Sequence, residues 1–340
     1  MTGTADFFST LSRAGKETVT LQAGGWRAVV VPGLAGRVFV CRGESVLHRF
    51  DGSKVVSPSR EPGVYNNYGG LNIWPAPEGG PFGWTYTPAG KWHVQDGVNA
   101  DPFTLTGSSG SAARLSRTSR ITNRKGREVT VTMRRNVELS ISPTRTVDTC
   151  ILRVTDRFSC PPARDVLISP WTLEQFDAHE GTTSFCVVAD PRTAINFDFY
   201  EHPRERIVYR DGYFLYRTDS GKAGQIGIRR DAHPKAIGMM DARDGFLVVR
   251  TIIGKTGELT YFNIADNDQP RGPHSAADVF SIFNGPPELG FLELETIGGC
   301  TMENDMLVPH DLQSQSAYSV GTPEALAAAV RDGYGVDFQP

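Results

Sequence analysis

Between Thr18 and Val320 the chain alternates hydrophobic and polar positions with a period of two, in short runs broken by Gly, Pro, Asn and Asp. That is the grammar of half-buried strands joined by tight turns. Thr18–Leu21, Trp26–Val31, Arg37–Cys41 and Val46–Phe50 predict an N-terminal meander punctuated by Gly24-Gly25, Pro32-Gly33 and Arg42-Gly43-Glu44. Ser116–Ile121, Glu128–Arg134, Val137–Ile141 and Thr149–Thr155 continue it, with Val129, Val131 and Met133 alternating against Thr130, Thr132 and Arg134. Further strands are predicted at Val166–Ser169, Thr183–Val188, Tyr213–Arg217, Gln225–Arg229, Ala236–Asp241, Phe246–Ile253, Leu259–Asn263, Phe291–Ile297 and Gln313–Val320. Helical spacing occurs at the two ends. Phe7, Phe8 and Leu11 mark a helix over Asp6–Ala14, and Thr322, Pro323 and Glu324 open a second that Gly333 would close.

The predicted fold class is therefore all-β: a large antiparallel β-sandwich with short terminal helices, organised as one domain over residues 1–340. A sheet system this large must fold face to face or close into a barrel to protect its edges, and the sandwich is the expectation.

Composition narrows the function. The chain has 340 residues, 35 Lys+Arg against 38 Asp+Glu, and a formal charge of -3. Bulk charge of that size does not support a general phosphate-backbone binder, so no nucleic-acid partner is expected. Eight basic residues, Arg114, Arg117, Arg120, Arg124, Lys125, Arg127, Arg134 and Arg135, fall within 22 positions, but alternation and the lack of aromatics there read as a solvated sheet face. No run approaches 18 uninterrupted apolar residues and no signal peptide is legible, so no membrane partner and a cytoplasmic location are expected. Oligomeric state is not legible. The five cysteines lack CxxC spacing and the seven histidines lack HxH or HExxH spacing, so free thiols are expected and no metal or other cofactor is implied.

Three segments could carry chemistry. Tyr65 to Trp92 holds three of the five tryptophans and three of the ten tyrosines among glycines and prolines, which predicts a loop system. Its Asn67, Trp74 and Trp84 offer ring faces and amides suited to a small-molecule carbohydrate, while a Trp/Tyr minicore would explain them structurally. Glu78 amid glycines has no packing purpose. In Gly290–Gly298, Leu292 and Leu294 face one way while Glu293 and Glu295 face the other, about 7 Å apart by strand geometry. Paired carboxyls can serve as acid and base, ligate hydroxyls, or simply meet cations on a solvated face. The loop beginning Phe283-Asn284-Gly285 flanks them. Ile168–Phe176 ends a strand in Trp171, Glu174 and Gln175.

Over almost its whole length the chain resembles the galactose mutarotase-like superfamily of the aldose 1-epimerases, above all its uncharacterised bacterial branches. The carriers are Gly69-Gly70 to Trp92, the Trp171 strand, and Ser281 to Ile297 with Asn284-Gly285-Pro286-Pro287 and Leu292-Glu293-Leu294-Glu295. Leu294-Glu295-Thr296 is similar to the run that carries the epimerase base, which nominates Glu295. Pro77-Glu78-Gly79-Gly80 resembles the His-Gly-Gly run, with Glu78 where the sugar-binding His would stand. No His lies within Trp171–Phe176, the counterpart of the general-acid strand, and His179 follows three residues later. The resemblance implies an aldose 1-epimerase-like isomerase acting on a sugar; unless His179 reaches the site, Glu174 or Glu78 is expected as acid, with Asn67, Trp74, Trp84, Trp171, Asn284 and Glu293 as the binding wall. A carbohydrate-binding protein without turnover, and a lyase or hydrolase on the same scaffold, are the alternatives.

Overall fold

The computed structural model describes residues 1–143, 147–198, 202–254, 259–304 and 306–338. Two antiparallel sheets pack face to face. The first has eleven strands, running through Arg37–Arg42, Leu71–Ala76, Ser169–Asp177, Phe291–Ile297, Asp278–Asn284 and Gly224–Arg229 at its centre. The second has ten, running from Ile207–Arg210 through Thr182–Val187, Phe246–Ile252, Leu312–Val320 and Asp148–Ser159 to Thr104–Ser108. One continuous apolar cluster joins the inner faces, with Leu71, Ile73, Phe176, Leu292 and Leu294 from the first sheet meeting Val248, Val154, Val137 and Tyr318 from the second. The all-β sandwich expected from the alternation is the observed fold.

Two arginines reach across the inter-sheet core from the second sheet to the first. Arg135 of the second sheet grips Asp156 (Nε to Oδ1 2.9 Å) and also donates to the Gly36 carbonyl at 3.1 Å. Arg250, on Phe246–Ile252, reaches Glu174 of the first sheet at 2.8 Å and Ser316 at 2.9 Å. Tyr318 donates to the same carboxylate. His48 accepts the Val40 N–H on Nδ1 (2.9 Å), which leaves Nε2–H to face Glu174 at 3.1 Å. Burial alone pushes the Glu174 carboxyl up, yet Arg250, His48 and Tyr318 outweigh it and hold the group at about 2.

Several expectations need correction. Leu71–Ala76 is a buried strand inside the segment read as loop. Its Pro75 stands opposite Pro170, so neither proline is asked to donate across that rung. The strand expected at Val166–Ser169 lies later, at Ser169–Asp177, and Glu128–Arg134 and Val137–Ile141 are one strand, Glu128–Ile141. Val46–Phe50 keeps one residue of a strand, Val46 of Ser45–Val46, and an isolated bridge from Phe50 to Gly69, and Leu259–Asn263 makes one isolated bridge, Thr260 to Cys300. Phe283 and Asn284 belong to the strand Asp278–Asn284. The C-terminal helix runs Pro323–Tyr334 through Gly333 and ends at Gly335, which is left-handed at φ 71°. Three short helices, Gly52–Val56, Asp96–Asn99 and Pro191–Ala194, interrupt the β body. Arg117 and Arg135 depart from the solvated face expected for the basic run, since both lie in the interior, while Arg114, Arg120, Arg124, Lys125, Arg127 and Arg134 are exposed. All five cysteines are free, as expected.

Candidate functional site

The outer face of the first sheet is covered by loops, and beneath them lies a cavity of about 210 Å³. Strand register decides what points into it. Trp171 pairs with Trp74 and Ile297, Leu173 with Asn72 and Glu295, Gln175 with Glu293, and Phe283 with both Glu293 and Gln225. These residues share one face because alternate side chains of paired strands do. Their neighbours Glu174, Leu292 and Leu294 point to the sandwich interior. Trp74, Trp171, Leu173, Gln225, Phe283, Phe291, Glu293 and Glu295 line the cavity. Loops add Tyr65, Glu78, Trp92 and Leu289, the last two exposed at the mouth.

Glu78 follows the Leu71–Ala76 strand after Pro77. Its N–H donates to the Asn263 carbonyl at 2.9 Å, and its own carbonyl accepts from Thr85 Oγ1 at 3.1 Å. Gly80 lets the loop turn: it is left-handed at φ 82°, and a Cβ there would strike the Ala265 carbonyl. Glu295, 1% exposed, accepts Trp171 Nε1–H on one oxygen (3.0 Å) and Gln225 Nε2–H on the other (3.2 Å). Glu293 accepts Gln175 Nε2–H at 2.6 Å, and the same amide nitrogen reaches Tyr65 Oη at 3.3 Å.

Three carboxyls in one small cavity cannot all ionise freely. Burial pushes Glu78 up to about 7. Burial, opposed by the Gln175 hydrogen bond and reinforced by the charge of Glu78, takes Glu293 to about 7 as well. Glu295 is raised well above the usual carboxylate range by burial and then by the charges of Glu293 and Glu78. Protonating either neighbour relieves part of that repulsion, while burial, the largest cause, still holds Glu295 up against the N–H donors on its two oxygens. Near neutral pH the cavity thus holds a proton donor and a proton acceptor side by side.

The same shifts predict how stability depends on pH. A carboxyl at about 7 in the folded chain and near 4.5 when unfolded binds more protons folded across that interval. Its contribution is fully present below about 4.5 and is lost as pH rises through 7. For Glu293 this is on the order of 3 kcal/mol. Denaturant unfolding should therefore show the protein more stable at pH 5 than at pH 8, and Glu293→Gln should flatten the slope. A slope of opposite sign, or one that Glu293→Gln leaves unchanged, would contradict these environments.

The cavity brings together Glu295, Glu293, Glu78, Trp74 and Trp171. Four nominated residues stand elsewhere. Glu174 is on the opposite face of its strand, tied to Arg250, and is removed as the acid. Trp84 is fully buried and donates Nε1–H to the Leu167 carbonyl at 2.9 Å, so it is core. Asn67 accepts the Gly69 N–H at 3.1 Å and shapes a turn. Asn284 accepts the Ser220 N–H at 3.0 Å and donates to the Lys222 carbonyl at 2.6 Å, bracing a neighbouring loop. Tyr65 and Trp92 lie within the aromatic run, where nothing in the sequence sets them apart from its other aromatic residues. Gln225, Phe283, Leu289 and Phe291 carried no local signal, because register and loop placement bring them to the cavity.

The profile of a family of unknown function (DUF6786) matches residues 6–149. No curated protein sequence matches the chain. Among solved structures, the Slr1438 protein from Synechocystis sp. PCC 6803 is 14% identical with a TM-score of 0.52, over 90% of this chain and 96% of that one. A putative aldose 1-epimerase from Escherichia coli K12 is 12% identical with a TM-score of 0.49, over 91% of this chain and 100% of that one. A galactose mutarotase-like protein from Lactobacillus casei is 10% identical with a TM-score of 0.49, over 89% of this chain and 99% of that one. Structures described as aldose 1-epimerase-like and galactose mutarotase-like are thus among those this chain resembles, and what it shares with the Synechocystis protein is a fold.

Proposed function

We propose that the cavity is a sugar site and that the protein interconverts forms of a free sugar, by mutarotation or epimerisation, through acid/base chemistry. The observation that carries this reading is the convergence of three carboxyl groups with tryptophan walls in one enclosed space. Mutarotation needs a base for the anomeric hydroxyl proton and an acid for the ring oxygen. Glu295, oriented by two N–H donors, serves as base, and Glu78 is the acid that remains once Glu174 is assigned to the core. Glu293 binds a hydroxyl, and Trp74 and Trp171 stack on the C–H faces of the ring. A volume of about 210 Å³ is below the roughly 300–1,000 Å³ of drug-sized sites, in scale with a single sugar ring.

The test is a screen of free aldoses by saturation-transfer NMR, with anomer exchange measured on each hit. Trp74→Ala should weaken binding by the folded protein by about 1 kcal/mol or more, beside the cost in stability that its 4% exposure entails. Trp84→Ala should instead destabilise the fold by about 3–5 kcal/mol, as expected of a fully buried ring. Binding without accelerated exchange would leave a carbohydrate-binding protein, and an unsaturated or shortened product would leave a lyase or hydrolase. Equal loss of sugar binding in both variants, with both folded, would remove the distinction between wall and core.

A further inference from the structure

The charge of the cavity wall is one-sided. Its lining carries three carboxyl groups, and among the described residues no Lys, Arg or His lines it. Two guanidiniums, Arg37 and Arg49, act on Glu293 through their charge without lining the cavity. Arg37 donates to the Gly69 carbonyl at 2.7 Å and to Asn99 Oδ1 at 2.8 Å, and Arg49 lies over the Phe291 ring at 4.8 Å beside Asp51. Hydrogen bonds to Glu293 and Glu295 come from neutral donors, an indole and two amides.

The aromatic walls meet at nearly right angles. Tyr65 packs edge-on to Trp74 (5.1 Å between centroids, 75°) and to Trp92 (6.1 Å, 84°), and Trp74 packs edge-on to Trp171 (5.8 Å, 85°). All four rings line the cavity, and an aromatic face open to it attracts an ammonium group by cation–π interaction. Trp74 is only 4% exposed, yet its indole N–H has no hydrogen-bond partner and the residue lines the cavity. A buried donor without a partner costs stability, so this one is suited to an acceptor carried by the ligand. The wall therefore asks for two features in one molecule, a hydroxyl or ring oxygen to accept from Trp74 and a positive charge to sit among the carboxyls and rings.

We propose that the ligand is a cationic sugar, an aldose bearing a free protonated amine. This rests on the cavity being a sugar site and names the class of sugar. The ammonium places a positive charge inside the cavity, whose described lining has none, and the carboxyl groups it meets are already desolvated, so little water must be stripped from them on binding. An N-acetyl group removes that charge, and a uronate or sugar phosphate adds negative charge to a negative wall.

Binding to the intact protein at neutral pH would be followed by tryptophan fluorescence, with circular dichroism to confirm that each variant is folded. The probes are glucosamine and galactosamine, their N-acetyl derivatives, glucose and galactose, glucuronate, and tetramethylammonium chloride as a cation without a sugar. The amino sugars should bind about tenfold or more tightly than their parents, a difference of about 1.4 kcal/mol. The N-acetyl forms and glucuronate should lose that advantage, and Glu293→Gln should narrow it. Equal or tighter binding of a parent, N-acetyl or acidic sugar, or failure of every amine to bind, would overturn the proposal even if neutral sugars are turned over. If tetramethylammonium binds as tightly as the amino sugars, the preference for a cation stands in the wall but the sugar does not, and the proposal of a cationic sugar falls together with the sugar reading of the site.

Discussion

Arg250→Met is expected to lower the unfolding free energy by about 3–5 kcal/mol, among the largest effects of any single substitution outside the cavity. The guanidinium is fully buried between the sheets and holds Glu174, Ser316 and Ser314 at 2.8, 2.9 and 3.2 Å. Methionine fills much of the same volume, so the loss comes from leaving Glu174 charged and uncompensated rather than from a void. The pH dependence gives the mechanism away. In the wild type Glu174 sits at about 2, so its stabilisation is present above about 4.5 and fades as pH falls through 2. Without Arg250 burial dominates, the carboxyl takes up a proton more readily, and the gap between variant and wild type should narrow on acidification. Adding Glu174→Gln to Arg250→Met should recover part of the loss, because the charge left behind is then removed. Urea unfolding of the four proteins of that cycle at pH 7 and pH 4 measures all of this. A loss under about 1 kcal/mol, or an additive double variant, would show that the pair does not act as a unit.

Much of this architecture was legible before any coordinates, and where it was not the reason is local. Val129, Val131 and Met133 alternate against exposed Thr130 and Arg134 and half-buried Thr132, so one face of Glu128–Ile141 is wet and the period is visible. The Glu293/Glu295 alternation against Leu292/Leu294 was equally readable, and it put the two carboxyls on one face correctly. Which face Glu174 takes was not. Every residue of Ser169–Asp177 but the last is buried, so the strand has no wet side against which to tell inward from outward. Leu71–Ala76 is buried throughout and sits among glycines and prolines, so its strand was hidden for the same reason. Asn67 and Asn284 show the limit of residue type as a signal, since an amide that braces a turn and one that binds a hydroxyl look alike in sequence. Gln225 and Phe283 become part of the cavity because the sheet pairs Gly224–Arg229 with Asp278–Asn284 and that strand with Phe291–Ile297, a non-local fact.

Glu295→Gln is the substitution expected to affect chemistry most. The side chains are nearly isosteric, and the amide oxygen can still accept the Trp171 indole N–H that lies 3.0 Å from the carboxylate. Gln225 can turn its own amide to meet the new NH2 group. Binding should therefore survive within a few fold, while proton abstraction is lost because an amide cannot serve as a general base near neutral pH. Removing a general base costs roughly 10²- to 10⁴-fold, on the order of 3–5 kcal/mol of barrier. Glu293→Gln is the informative companion: a carboxyl that binds a hydroxyl should change affinity more than rate.

The decisive measurement is the rate of anomer exchange of the best-binding sugar, by exchange NMR, with wild type and Glu295→Gln at matched saturation. The account predicts catalysed exchange in the wild type and a loss of roughly 10²- to 10⁴-fold in Glu295→Gln with sugar still bound. Full exchange activity in Glu295→Gln would contradict the assignment of Glu295 as base and, with it, the acid/base reading of the cavity.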